Sequence, residues 1–327
     1  MKAIVTGGAG FIGSHLVDRL VNDGHDVVVV DNLSNGKKSN LELSIARIKF
    51  YNSCIYSDDD WKPELENADW VIHLAALADI VPSIESPKDY YYSNVNGTFE
   101  VINSCNLKVL KKFVYAASAS CYGISNSIPT SETSAKSPEY PYALTKLMGE
   151  DLAFHWNKVY KLPLISLRFF NVFGERSRTS GTYGAVFGTF LAQKLNNQPF
   201  TVVGDGNQTR DFTYVSDVVE GIISSLNSKV DGEAINIGSG NPQSVNRLVE
   251  LLKGNVVNIP KRPGEPDITC ADISKAKKLL GWQPKVSFEK GVEKLLENIH
   301  YWDDAPVWNE KTIKKATKSW FEHLDEK

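Results

Sequence analysis

Tyr142 and Lys146 stand four residues apart in "YPYALTK" (140–146), at the head of a helix-like run introduced by a proline. A four-residue step puts both side chains on one helix face. A free phenol titrates at about pH 10 and is a poor base at neutral pH. A nearby ammonium stabilises the phenolate and lowers that value. The pair could therefore move a proton. It could equally be a solvated surface pair, and the motif alone does not decide between them.

A second stretch narrows the choice. In "VTGGAGFIGSHL" (5–16), Gly7, Gly10 and Gly13 recur every third residue between a β-rich run and a helical one. Glycine permits a tight turn and lets backbone amides approach a pyrophosphate, while the helix N-terminus adds positive potential. Phe11 and Ile12 belong to the same turn. Asp31 follows 18 residues after Gly13, at the end of the second β-rich run. A carboxylate there can accept both hydroxyls of an adenosine ribose and would repel a 2′-phosphate, so NAD is expected rather than NADP.

The elements that must hold these groups are legible as alternation. Runs 2–6, 26–31, 69–76, 111–118 and 162–170 are continuously apolar, as in strands covered on both faces. Helical stretches fall at about 11–23, 88–107 and 141–160. This pattern predicts an α/β fold, a Rossmann-type doubly wound parallel sheet, with a smaller C-terminal α/β substrate-binding lobe. The expected division is residues 1–170 for the NAD-binding domain and 171–327 for the lobe, with some chain crossing back to the sheet. The tail 300–324 reads as an amphipathic helix covering a core edge.

Composition excludes several classes. A net charge of −3 implies no broad basic surface, so neither nucleic acid nor an anionic membrane is an expected partner. No apolar run reaches transmembrane length, and the N-terminal residues enter a strand rather than a signal peptide. The four cysteines are scattered without metal-ligand spacing, so no metal is expected. A reduced, cytoplasmic protein is the simplest reading.

Taken together, "TGGAGFIGSHL", "DNLSNGKKSNL", "VIHLAA", "NVNGT", "SASCYG", "YPYALTK", "LRFFNVFG", "GDGNQTRDFTYVSDVV", "INIGSG" and "RPGEPD" resemble the extended short-chain dehydrogenase/reductase family. Within it, the chain is most similar to nucleotide-sugar C4-epimerases of the UDP-glucose/UDP-N-acetylglucosamine type. The resemblance implies roles. Ser118 is the hydroxyl beside the sugar O4, Tyr142 the proton-transfer phenol and Lys146 the ligand of the cofactor ribose. Asn32, Leu74, Ala75, Ala76 and Asn94 line the cofactor cleft. Asn171, Arg210 and Arg262 grip the substrate diphosphate, and Ser120 lies beside the sugar. Thr269, seven residues after Arg262, takes a gate position beside the sugar C2 substituent. A small residue there admits an N-acetyl group, which its hydroxyl could bond. Related proteins form homodimers through a four-helix interface, here helices 88–107 and 141–160.

Two departures stand out. Ala116 and Ala117 replace residues that are often serine. Cys54 sits where an acidic residue often meets adenine, with Asp58–Asp60 nearby as an alternative. No acid follows Ser118, which argues against the family's dehydratases and decarboxylases. A C4-dehydrogenase that releases the keto sugar remains open, as does a non-catalytic NAD-binding protein.

Overall fold

The computed structural model describes residues 1–177 and 185–324. The apolar runs of the first half form β1 (Lys2–Thr6), β2 (Asp26–Val30), β3 (Ile48–Tyr51), β4 (Trp70–His73), β5 (Lys112–Ser118) and β6 (Leu164–Phe169). Between them lie α1 (Phe11–Asn22), α2 (Ile80–Glu85), α3 (Pro87–Tyr91), α4 (Gly97–Asn103) and α5 (Pro141–Tyr160). The chain then passes through β7 (Asn171–Phe173), α6 (Val186–Leu195), β8 (Phe200–Val203), β9 (Thr209–Arg210), β10 (Phe212–Tyr214) and α7 (Val215–Asn227). It continues through β11 (Glu233–Ile237), β12 (Gln243–Ser244), α8 (Val245–Leu252), β13 (Val256–Ile259), α9 (Ser274–Leu280) and α10 (Phe288–Glu297). Two short helices, α11 (Glu310–Ala316) and α12 (Lys318–Leu324), end the described chain.

One seven-stranded sheet, ordered β11-β6-β5-β4-β1-β2-β3 and parallel throughout, is a Rossmann-type doubly wound sheet. Its residues alternate between two cores. Ala3, Val5, Val27 and Val29 pack on one face, while Ile4, Val28 and Val30 pack on the other with Trp61 and Phe113. That is why these runs are apolar at every step. β11 crosses back from the later chain to pair with β6. A separate core gathers Phe173, Phe187, Phe212, Tyr214 and Phe288 with the fully buried Trp302.

Helix α5 is fixed to the sheet by chemistry as well as packing. Gly149 has no room for a Cβ, which would lie 2.4 Å from the Tyr115 hydroxyl. One residue on, Glu150 accepts from Arg168 Nε (2.9 Å), Arg168 Nη2 (2.9 Å) and Ser166 Oγ (2.6 Å), with Glu150 and Arg168 both buried. Arg168 also donates to the Tyr122 hydroxyl, which donates to Asn236 on β11. Removing one partner of such a buried pair costs about 3–5 kcal/mol.

Three expectations need correction. The helix expected over 88–107 is α3 and α4 joined by a π-helical turn at Tyr92–Asn96, ending at Asn103. Strand 69–76 stops at His73, and residues 74–76 enter the cleft instead. The tail is not one helix. It is a 3₁₀ turn at Ile299–Trp302 followed by α11 and α12.

Candidate active site

Strand order reverses at the β1/β4 pair, and ligands of open α/β sheets bind outside the strand ends at such a point. A cleft of about 890 Å³ opens there. Gly7, Gly10, Phe11, Ile12 and Gly13 line one end with Asp31 and Asn32.

This end suits a dinucleotide. Gly7 has φ +70°, and a Cβ on it would meet Ala75 N at 2.7 Å. A Cβ on Gly13 would lie 2.2 Å from Gly7 O. The turn therefore stays bare backbone, and α1 begins with no side-chain cap and no acid in its first turn. Its leading N–H groups face the cleft end without intrahelical acceptors, as a pyrophosphate site requires. Asp31 is buried and accepts from Ala9 N (2.9 Å) and Leu33 N (2.8 Å). Burial raises its pKa, opposed by those two amides. A carboxylate offers about four acceptor sites, so ribose hydroxyls can still be accepted.

Leu74, Ala75 and Ala76 line the cleft, with Ala75 N donating to Thr6 Oγ1 at 3.3 Å. Asn94 is placed differently from its expected role. It is buried in the π-helical turn behind the wall, accepts from Leu77 N (2.8 Å) and donates to Leu77 O (3.0 Å) and Thr145 Oγ1 (3.1 Å). It braces the loop rather than facing the cleft. Around the expected adenine end, Ser53, Cys54, Ile55 and Tyr56 line the cavity. Asp58 and Asp60 hold that loop instead, through Cys54 N (2.6 Å) and Ser53 Oγ (2.7 Å).

At mid-cleft, β5 delivers Ser118 and α5 delivers Tyr142 and Lys146. Ser118 acts on the Tyr142 phenol, lowering its pKa against the effect of burial. Ser118 Oγ also accepts from Ser120 Oγ (2.8 Å) and Ser120 N (3.2 Å). The Ser118 and Ser120 hydroxyls thus form a bonded pair on the cleft wall that Tyr142 also lines. Burial raises the Tyr142 pKa, and Ser118 only partly offsets this. Lys146 Nζ lies 4.5 Å from the centroid of the Tyr115 ring. Burial brings Lys146 down to about 7 despite the Glu150 carboxylate. In the protein alone, burial disfavours the charge of Lys146, and Lys146 is not among the groups that shift the Tyr142 phenol. Tyr140 stacks on Tyr142 with ring centroids 6.3 Å apart.

Asn171, Arg210, Arg262 and Thr269 line the far end. Arg262 Nη1 donates to Glu265 Oε1 at 3.0 Å, and Arg210 Nη2 lies 3.6 Å from Glu265 Oε2. Glu265 is a site residue that the sequence reading did not name, although its place three residues after Arg262 was the available signal. A side cavity of about 160 Å³, lined partly by Phe190, Thr201 and Gln208, opens beside both arginines. The Thr269 hydroxyl is already engaged. It donates to Asn171 Oδ1 (3.2 Å) and accepts from Asp211 N (3.0 Å).

The topology and the glycine turn define a dinucleotide-binding α/β protein. More particularly, the chain belongs to the NAD dependent epimerase/dehydratase family, whose model matches residues 3–238, and its cofactor is NAD. Three solved structures are among the chain's relatives. A UDP-glucose 4-epimerase from Thermotoga maritima is 34% identical, with a TM-score of 0.85 over 93% of this chain and 99% of its own. A UDP-glucuronic acid 4-epimerase from Bacillus cereus, solved with UDP-glucuronic acid and NAD, is 35% identical, with a TM-score of 0.85 over 92% of this chain and 99% of its own. A UDP-N-acetylglucosamine 4-epimerase from Methanobrevibacter ruminantium is 32% identical, with a TM-score of 0.85 over 91% of this chain and 98% of its own.

Proposed function

We propose that this enzyme inverts C4 of a UDP-sugar through a transient 4-keto sugar. The observation that carries the reading is the convergence of Ser118, Tyr142 and Lys146 on one cleft, with a dinucleotide turn at one end and paired arginines at the other. The names of the solved relatives support it.

Bound NAD supplies the hydride acceptor for C4 and then the donor to its opposite face. Tyr142 takes the proton of the sugar 4-hydroxyl and later returns it, with Ser118 bonding the same oxygen. Lys146 holds the cofactor ribose. Its charge and that of the oxidised nicotinamide favour the phenolate that burial disfavours. Arg210 and Arg262 hold the diphosphate, which competes with Glu265 for their N–H donors, and Asn171 assists. Arginine suits this work because its planar fork matches phosphate oxygens. The side cavity beside the arginines suits a flat base. A fixed nucleotide leaves the sugar able to turn over between the two hydride transfers.

Ser118 is followed by Ala119, Ser120 and Cys121, so the position lacks the acid that elimination or decarboxylation would use. For the sugar, threonine at 269 leaves room for a large C2 group, and UDP-N-acetylglucosamine/UDP-N-acetylgalactosamine is the first pair to try. Plain hexoses and uronic acids also pass a small gate.

Incubation with a panel of UDP-, GDP-, CDP- and dTDP-sugars, read by NMR, tests the reading. Interconversion of two C4 epimers of one UDP-sugar is expected. A released 4-keto sugar with accumulating NADH would make the protein a C4-dehydrogenase. NAD binding with no turnover of any sugar would make it a non-catalytic binder.

A further inference from the structure

We propose that Trp320, from the C-terminal helix α12, positions Arg262 for the substrate diphosphate. The proposal rests on the phosphate-binding reading of Arg262 given above. Trp320 is buried and also lines the cleft. Its ring lies under the Arg262 guanidinium, 5.3 Å from its carbon to the ring centroid. Its Nε1 donates to Pro263 O at 2.8 Å, so the same side chain grips the backbone next to the arginine. A ring met through the guanidinium face restricts the arginine without using its N–H donors, which lie in the guanidinium plane. Those donors remain directed by the in-plane partner Glu265 and, in the liganded enzyme, by phosphate.

The tail is built to hold that ring in place. Ile313 of α11 packs with Ile259, the last residue of β13, just before the arginine loop. The Trp308 carbonyl accepts from Gln193 Nε2 at 2.9 Å. On the other side, Ser319 Oγ donates to Glu85 Oε1 of α2 at 2.8 Å. Helix α12 thus spans from the arginine loop to a helix that follows the sheet, and the arginine loop rests on it.

The test uses the NAD-loaded, full-length enzyme with UDP as probe, in calorimetry, together with steady-state kinetics. Trp320→Ala should weaken UDP binding and raise KM by about tenfold, the scale of a desolvated cation–π contact and its backbone anchor. The kcat should stay within about twofold, with NAD content unchanged. Trp320→Phe, which keeps a ring but no N–H, should recover part of the loss. Unchanged UDP affinity and KM in Trp320→Ala would overturn the inference alone, provided Arg262→Ala weakens UDP. Parallel losses of kcat, NAD content and melting temperature, without rescue by phenylalanine, would also overturn it, since they mark general packing. Failure of the wild-type enzyme to bind UDP would remove the phosphate-site reading and the inference together.

Discussion

Tyr142 reaches the cleft as a phenol that burial holds above its ordinary pKa, with Ser118 acting in the opposite direction. Tyr142→Phe removes one oxygen and keeps the ring that stacks with Tyr140. It should lower kcat at least about 10²-fold, the scale of a positioned proton-transfer group, while NAD stays bound. A variant that keeps a tenth of wild-type kcat would refute the role. Lys146 makes a pH prediction in NAD-stripped protein. Its folded pKa, about 7, lies below the ordinary lysine value, so folding disfavours its charged form. That cost is complete below pH 7, shrinks as pH rises and vanishes above the unfolded pKa of about 10.4. Lys146→Met should therefore raise the melting temperature most at acidic pH, and the gain should fade towards pH 10. A gain that grows with pH would have the wrong sign. At Thr269 the hydroxyl already bonds Asn171 and Asp211 N, so its size is what remains to discriminate. Thr269→Tyr should depress kcat/KM for an N-acetylated substrate far more than for the plain hexose. Equal losses on both substrates would show that another residue is the gate.

Among the elements, α5 is the one whose two faces divide most clearly. Leu147, Leu152, Phe154 and Trp156 look available for a partner in the sequence, but all four are partly buried, and Leu147, Phe154 and Trp156 pack on the enzyme's own cores. The exposed apolar residues are others: Val159 and Tyr160 at the end of α5, and Leu144, 46% exposed, and Met148 near its start, with Tyr91 on α3 and Tyr92 in the π-helical turn. We propose that this surface forms the four-helix interface of a homodimer. Light scattering at micromolar concentration should give a dimer, and Leu144→Asp should shift it to monomer with the fold intact. A monomeric wild type would exclude the interface. The same helices show what sequence can and cannot reveal. The glycine turn, Asp31 and the Tyr142–Lys146 step are local patterns whose geometry follows from spacing, and they were legible. The π-helical turn was not, because a widened turn of this kind has no residue signature of its own in 88–107, and Asn94 sits in that turn. Trp320 was not legible as a partner of Arg262 either. The two are far apart in the chain, and a tryptophan in a terminal helix has the same composition signal whether it packs or positions.

For the whole molecule, β11 sets the limits of division. Glu233–Ile237 completes the sheet by pairing with β6, and its Asn236 enters the buried network of Tyr122, Arg168 and Glu150. A fragment of residues 1–170 would carry an unpaired β6 edge and an incomplete polar network, both costly. It should aggregate or remain partly unfolded, whereas a fragment extended past Ile237 should gain protection of the β6 amides in hydrogen exchange. Equal protection in both would mean that β11 is dispensable. The same feature constrains the order of events while the chain is being made. The β6 edge emerges well before the strand that covers it. At about 5–20 residues per second, the 68 positions from Phe169 to Ile237 take roughly 3–14 s to synthesise. Through that interval the nascent protein presents an apolar parallel edge with no native partner. Its vulnerability to aggregation is therefore greatest during translation, and slower decoding between residues 170 and 237 would lengthen the exposure without altering a single contact of the finished enzyme.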